Sequence, residues 1–250
     1  MANWSDPRSA APFAGAGARA ADYDAGLRSY MLSVYNYMLS GVLLTGVVAL
    51  LFAKSSLMQL LYQVGVDGRI GLTALGFVVM LAPLGIVLAM SFGANRLSAS
   101  TLQILFWAYA GLLGASLSTI FLTYTDSSIA GVFFGTAAGF AGLSLWGYTT
   151  KRDLSGFGTF LVMGLVGLIV ASIVNLFVQS GPMGLVISVI GVLIFAGFTA
   201  YDTQKIKSMY AYTTAGESRD KVVIMGALNL YLDFINMFLF LLRLFGSSRN

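Results

Sequence analysis

Long apolar runs separated by short polar connections fill most of the chain. Seven such runs of about 20 residues follow residue 28, and each is long enough to cross the ~30 Å of hydrocarbon in a bilayer. The runs predict an all-α membrane protein with seven transmembrane helices. Because the connections between the runs are short, we expect one seven-transmembrane-helix bundle over residues 29–250. The predicted spans are 32–53, 71–92, 102–124, 129–148, 157–178, 183–204 and 222–245.

The segment before the first apolar run has a different composition. Residues 1–28 are rich in alanine and glycine, carry charges of both signs and contain no apolar stretch of the kind found in a signal peptide. Such a segment buries too little apolar surface to fold by itself. We therefore expect residues 1–28 to form a disordered cytoplasmic tail.

Composition supports a membrane protein. The chain is 58% hydrophobic and only 10% charged, whereas soluble domains carry about 25% charged residues. The net charge of +4 does not indicate a nucleic-acid partner, because the basic residues lie in short loops beside apolar spans. Cysteine is absent, which excludes disulfides and thiolate metal sites.

The distribution of lysine and arginine predicts the orientation. Basic residues concentrate in cytoplasmic loops, so the richer side faces the cytoplasm. This places the N-terminus inside and, after seven spans, the C-terminus outside; a re-entrant seventh segment would instead return the C-terminus to the cytoplasm. The inner segments then hold Arg8, Arg19, Arg28, Arg96, Lys151, Arg152, Lys205, Lys207, Arg219 and Lys221, and the outer segments hold Lys54, Arg69, Arg243 and Arg249.

Small residues recur every fourth position in two spans. Gly131, Gly135 and Gly139 do so in the fourth span, and Ala110 and Gly114 in the third. This spacing lets helix backbones approach closely in lipid. We expect ordinary packing within the bundle, with a dimer interface as the alternative.

Two carboxylates are the candidate functional groups. Of the ten acidic residues, only Asp202 and Asp233 fall within spans, where a carboxylate costs roughly 2.5–3.5 kcal/mol on insertion scales. The sixth and seventh spans are antiparallel neighbours, and at 1.5 Å per residue the two aspartates lie at similar depth. We therefore expect them to meet in the cytoplasmic half of the bundle. The alternatives are that each aspartate only joins neighbouring helices, or that Asp202 ends its helix at the membrane interface beside Lys205.

A polar face on the seventh span accompanies this pair. Asn229, Asp233 and Asn236 are spaced i, i+4 and i+7, which places them on one side of a helix. Together with Asp202, this face is suited to a shared proton, to a cation with oxygen ligands such as calcium, or to a guanidinium group. Arg96, at the inner end of the second span, is a candidate partner for the guanidinium role; the alternative is an anchor at the membrane surface.

The absence of histidine restricts how this protein can sense pH. Histidine is the side chain that ordinarily changes its charge near neutrality, and the chain has none. Any pH sensor must therefore use carboxylates whose titration is shifted by their surroundings, and two neighbouring carboxylates release their protons as a coupled pair. Asp202 and Asp233 are the candidates for such a sensor.

Two sequence motifs carry a resemblance to a known family. The segments Tyr201-Asp-Thr-Gln-Lys-Ile and Leu230-Tyr-Leu-Asp-Phe-Ile-Asn-Met-Phe, followed by Leu241-Leu-Arg-Leu-Phe-Gly, resemble the C-terminal signature of the Bax inhibitor-1 family. These proteins are also called transmembrane Bax-inhibitor-motif proteins, and the chain is most similar to their bacterial inner-membrane branch. Tyr35-Asn-Tyr-Met-Leu-Ser-Gly in the first span is a weaker match, and the resemblance covers residues 28–246.

The resemblance implies an architecture and a function. It implies a seventh helix at the centre, wrapped by the other six, and a pH-sensitive calcium leak controlled by paired aspartates that match Asp202 and Asp233. It further implies a latch between the sixth-helix aspartate and a basic residue that Arg96 matches by position. Some members carry an acidic residue within the second helix, but this chain has none over 71–92, which puts a second cation site there in doubt.

Two further functional classes compete with a leak. An intramembrane aspartyl protease needs Gly-x-Gly-Asp at its second aspartate, whereas Asp233 follows Leu230-Tyr-Leu, so we do not expect an enzyme. A non-transporting regulator that binds a membrane protease or a stress-response partner, through the tail, is the main alternative. We expect no cofactor, with calcium as a permeant ion and the bilayer as the other partner.

Overall fold

Helices form nearly all of the computed structural model, which describes residues 11–64, 70–213 and 216–249. A short antiparallel hairpin, with Tyr62 opposite Leu72, joins the first two long helices. The elements in chain order are α1 (Ala11–Ala53), α2 (Met58–Leu61), β1 (Tyr62–Val64), β2 (Ile70–Leu72), α3 (Ala74–Gly93), α4 (Ala99–Leu117), α5 (Ile120–Thr123), α6 (Asp126–Thr149), α7 (Ser155–Val178), α8 (Gly181–Met209) and α9 (Glu217–Phe245).

Seven apolar spans are present, which confirms the predicted helical membrane bundle. The spans are α1 from Ala21, α3, α4 continued by α5, α6, α7, α8 extended to Tyr212, and α9. Four of the helices begin at a serine or threonine whose side chain accepts a hydrogen bond from a backbone N–H in the first turn, which satisfies a donor that the helix itself leaves unpaired. These residues are Thr73, Ser98, Thr125 and Ser180.

Helix α9 lies at the centre of the bundle. In its most apolar stretch 67% of the residues are buried, against 44% in α8 and 11% in α7. Its main contacts are with α8, α1, α6 and α4, whereas α3 packs chiefly on α4, and α7 on α8. The seventh helix is therefore central, as the resemblance implied. Four helices form its principal wall, and α3 and α7 form an outer layer.

The N-terminal segment differs from the prediction. Helix α1 begins at Ala11, so residues 11–28 are helical rather than disordered, and Leu27 is buried. Alanine is the strongest helix former, and the alanine-rich sequence continues directly into the first span. The ring of Tyr23 also packs 5.1 Å from that of Tyr210. Residues 1–10 of the predicted tail lie outside the described residues.

The small residues of the two spans have different surroundings. A Cβ atom on Gly114 would come within 2.6 Å of Thr45 O, so α4 and α1 pack closely there, as expected. No atom lies within 4 Å of a Cβ placed on Gly131, Gly135 or Gly139. The expected packing of the fourth-span glycines inside the bundle is therefore wrong, because that face of α6 points away from its neighbours.

A different glycine of α6 makes the close contact. A Cβ atom on Gly147 would overlap the backbone of Ala200 on α8, and it is this contact that brings α6 close to α8. Gly147→Ala is expected to reduce the free energy of unfolding by about 1–3 kcal/mol, the usual cost of overpacking. Gly139→Ala is the matched control, because it enters open space on the same helix and gains helix propensity. The free energy of unfolding of both variants is measured from the loss of helicity during denaturant titration in micelles. Equal stabilities of the two variants would contradict the close contact at Gly147.

The two ends of the bundle differ in charge. We call the end that holds the turns after α3, α6 and α8 the basic end, and the other the far end. The described basic side chains near the basic end are Arg28, Arg96, Lys151, Arg152, Lys205, Lys207, Arg219 and Lys221.

The chain after α9 is fixed at the far end. Helix α9 has 29 residues, about 43 Å at 1.5 Å per residue, which exceeds the hydrocarbon thickness. Beyond it, Arg249 Nη2 lies 2.9 Å from Asp126 Oδ1, and the Thr125 N–H donates to Ser247 O at 3.0 Å. A full crossing by the seventh segment therefore fits the structure better than a re-entrant one.

The absence of cysteine makes this topology directly testable. Ser208→Cys lies at the basic end and Ser247→Cys at the far end, and both positions are exposed. With the basic end in the cytoplasm, a membrane-impermeant maleimide should label Ser247→Cys in intact spheroplasts and Ser208→Cys only after permeabilisation. Labelling of both from the same side would show that the last segment does not cross.

Candidate functional site

The packing of α8 against α9 brings the two aspartates of the spans together. These helices form the most extensive helix–helix contact in the described bundle. Asp202 is 9% exposed and Asp233 is 4% exposed, and their carboxylates are close enough to interact electrostatically. The structure therefore brings the two predicted aspartates together in the interior of the bundle.

The surroundings of Asp233 leave one of its oxygens without a partner. Among the described residues, no hydrogen-bond donor reaches Asp233 Oδ2, although this atom is buried. Its neighbours along α9, Leu230 and Tyr231, are fully buried. A buried acceptor that lacks a donor is costly, so this oxygen is suited to binding a proton or a cation.

The environment of Asp202 is more polar. Lys205 lies one turn later on α8 and carries a positive charge that acts on this carboxylate. Its ammonium group lies 5.9 Å from the centre of the Tyr201 ring and is exposed at the basic end. Lys205 is the basic residue nearest to Asp202 in the sequence.

The polar face of α9 connects two cavities. Asn229 lines a cavity of about 630 Å³ at the basic end, together with Asn95, Lys205 and Glu217. Asn236 lines a second cavity of about 640 Å³ that opens at the far end between α7, α8 and α9. Both asparagines are half-buried, whereas Asp233 between them is buried. The face therefore runs from one cavity to the other with its carboxylate in the closed middle section.

The predicted latch residue is not at the pair in this structure. Arg96 is exposed in the turn after α3, where its backbone N–H donates to Gly93 O at 2.8 Å. Within the described ranges it makes no ion pair shorter than 4.0 Å. The preceding residue, Asn95, lines the basic-end cavity, so Arg96 lies beside the opening that leads toward α8 and α9.

The donor set is small for a resident metal ion. Within residues 11–64, 70–213 and 216–249 there is no group of three or more acidic, histidine or cysteine side chains placed to hold a metal. Calcium takes six to eight oxygen ligands in its usual sites. The aspartate pair and the asparagine amides supply only a partial oxygen shell.

Two hydroxyl contacts near the site were not predicted. Tyr231 is fully buried, and its hydroxyl lies 2.6 Å from Thr45 Oγ1, which donates to Ala110 O at 2.9 Å. These bonds join α9, α1 and α4 two residues before Asp233. The position of Tyr231 within the second motif was the one feature of the sequence that indicated its importance. The positions of Thr45 and Ala110 in the sequence do not predict that they contact it.

A second hydroxyl chain lies beside Asp202. Ser144 Oγ on α6 lies 2.6 Å from the Tyr35 hydroxyl and 2.9 Å from Thr203 Oγ1. Thr203 in turn donates to Thr199 O at 2.7 Å. The chain ties α1 and α6 to the segment of α8 that carries Asp202.

Comparison with known proteins gives the family. The model described as "Inhibitor of apoptosis-promoting Bax1" matches residues 27–250. The chain belongs to the Bax inhibitor-1 family. The match includes both aspartates and the whole of α9, so the C-terminal motifs that carried the resemblance lie inside the family's defining region.

Bacterial relatives cover nearly the whole chain. An uncharacterized protein of Rickettsia prowazekii is 48% identical over 229 residues, which is 91% of this chain and 93% of the relative. Inner membrane protein YbhL of Escherichia coli K12 is 46% identical over 228 residues, covering 90% of this chain and 94% of YbhL. An uncharacterized protein of Caulobacter vibrioides is 47% identical over 231 residues, covering 90% and 91% of the two chains. The similarity to these relatives therefore covers about nine tenths of this chain.

Proposed function

We propose that this Bax inhibitor-1 protein is a cation leak of a bacterial inner membrane, with calcium as a permeant ion and the Asp202–Asp233 pair as its gate. The observation that carries the proposal is the polar face of α9. Asn229 reaches the basic-end cavity, Asn236 reaches the far-end cavity, and the buried carboxylate of Asp233 lies between them. Ionisable groups inside a membrane bundle are costly, and they characteristically mark ion pathways.

Two cavities and the packed section between them support the proposal of a closed pathway. Two cavities of more than 600 Å³ approach the middle of the bundle from opposite ends, and the section between them is packed. A cation that leaves water needs oxygen ligands in place of its hydration shell. The asparagine amides and the two carboxylates supply such ligands in sequence. Opening requires α8 and α9 to separate only around Asp233.

Proton binding at the pair is the proposed control. The chain lacks histidine, so a response near neutral pH depends on carboxylates. The charged groups around the basic-end cavity are Lys205 on α8, with Glu217 and Lys221 on α9, whose side chains lie 3.3 Å apart. Arg96 adds a further charge from the α3–α4 turn. Protonation alters the repulsion between Asp202 and Asp233 and therefore the packing of their two helices.

Arg96 is proposed to act in a second, latched conformation. Its exposed position beside the basic-end cavity leaves it able to approach α8 if the turn after α3 rearranges. A guanidinium group against Asp202 would compensate that carboxylate and hold the helices together. The present structure then represents the unlatched arrangement.

The decisive measurement is calcium flux against pH in liposomes that contain only this protein. We expect the flux of the parent to vary between about pH 6 and 8, because the chain has no histidine and two neighbouring buried carboxylates release their protons as a coupled pair. Asp202→Asn and Asp233→Asn should each flatten the profile, since an amide keeps the shape of the side chain but does not titrate. Asp220→Asn is the matched control, because Asp220 is exposed in the first turn of α9.

Two outcomes would contradict the proposal. Unchanged pH profiles in both buried variants would reduce the pair to a structural contact between α8 and α9. If the parent carried no flux at any pH, the non-transporting regulator would replace the leak as the first candidate function.

The latch is tested by a double-mutant cycle. Arg96→Ala is expected to raise the resting leak, because the latched form would lose the charge that compensates Asp202. Combination with Asp202→Asn should show a coupling of about 0.5–3 kcal/mol, the range for residues in contact. If the effects of the two substitutions were strictly additive, Arg96 would not contact Asp202, and its role would be that of an anchor at the membrane surface.

A further inference from the structure

An open groove runs along the outside of the bundle between α1 and α6. Both helices pack against α9, but their principal contacts with other helices lie elsewhere, so a gap of about 590 Å³ remains between them. The ring of Phe234 on α9 forms part of its floor, and Phe140 on α6 lines it. The walls are almost entirely apolar. At the rim, the side chains of Leu32 and Leu39 on α1 are 50% and 54% exposed.

The length of the groove matches one leaflet of a bilayer. Its lining residues on α1 extend from the basic end down to Leu39, and those on α6 from Tyr148 to Ala137. The distance from Arg28 to Leu39 is about 17 Å at 1.5 Å per residue. Half of the ~30 Å hydrocarbon core is about 15 Å. The groove therefore begins at the level of the headgroups and ends near the midplane.

The charges at its mouth favour an anionic headgroup. Arg28 lines the basic end of the groove together with Asp24 and Tyr148. Lys207 is held beside this mouth, because its Nζ donates to Tyr148 O at 2.7 Å and lies 4.6 Å from the centre of the Tyr148 ring. Two positive groups thus face one negative group, at a depth where a lipid phosphate lies.

We propose that this groove is a binding site for one phospholipid of the leaflet at the basic end. One acyl chain lies between α1 and α6 over Phe234, and the phosphate is held by Arg28 with support from Lys207. A chain in the groove covers apolar surface that neither helix nor α9 covers. This site is separate from the aspartate pair and does not depend on ion conduction.

The test uses phospholipids that carry a photoactivatable diazirine in the acyl chain, in nanodiscs that hold the full-length protein. After irradiation, peptide mapping should find cross-links concentrated on residues 24–39 and 137–148 rather than spread over all exposed spans. Ala141→Trp fills the groove and should reduce these cross-links at least fivefold. Ala138→Trp is the matched control, because Ala138 is exposed on the same helix but does not line the groove.

Two further variants keep the test decisive. Ala137→Phe fills the groove near its deep end and replaces Ala141→Trp if that variant fails to fold. Arg28→Gln should reduce the preference for phosphatidylglycerol over phosphatidylcholine about fivefold, the factor that corresponds to about 1 kcal/mol for one basic side chain. Evenly spread cross-links, or full labelling in the groove-filling variants, would overturn the site. An unchanged headgroup preference in Arg28→Gln would overturn the assignment of Arg28 to the phosphate.

Discussion

A carboxylate in the middle of a membrane must be enclosed by protein, and this constraint organises the bundle. Asp233 lies on α9, and α9 is the helix that the others cover most completely. Exposure of this group to hydrocarbon would cost several kcal/mol, so the helix that carries it cannot take an outer position. The enclosing wall of α1, α4, α6 and α8 follows from that requirement.

The same enclosure restricts where the helices of the wall may approach one another. On one side α6 meets α8 closely because Gly147 lets the two backbones touch at Ala200. On the other side, Gly114 lets the backbone of α4 approach that of α1 at Thr45. Between these two tightly packed pairs, α1 and α6 meet through the Tyr35–Ser144 hydrogen bond, and the apolar groove opens outside it. Close contacts at single glycines thus determine both the site and the groove.

Hydroxyl groups complete the interior without adding charge. Tyr231 with Thr45, and Tyr35 with Ser144 and Thr203, form short bonds between different helices close to the two aspartates. Each of these five hydroxyls has a hydrogen-bond partner, whereas Asp233 Oδ2 lacks a donor within the described ranges. The contrast between satisfied hydroxyls and an unsatisfied carboxylate oxygen sets the aspartate pair apart from the structural polar groups around it.

The sequence by itself determined the seven spans, the family and the pair of candidate residues. Apolar runs of membrane length have one stable outcome in lipid, since every backbone group must be paired inside a helix. A carboxylate within such a run is conspicuous for the same reason, and Asp202 and Asp233 were recognisable on that basis. The spacing of Asn229, Asp233 and Asn236 likewise follows from helix geometry alone.

Only the tertiary structure decided which faces of the helices meet. A Cβ atom on Gly131, Gly135 or Gly139 would have no neighbouring atom within 4 Å, whereas Gly147, two steps further along the same spacing, makes the close contact. The partner of Tyr231 and the helical start of α1 before residue 28 were likewise not readable from spacing, and of the two positions that the sequence offered for Arg96 the structure has the exposed one. A helix in lipid has no single apolar side to direct it inward, so its rotation is determined by the neighbours against which it packs.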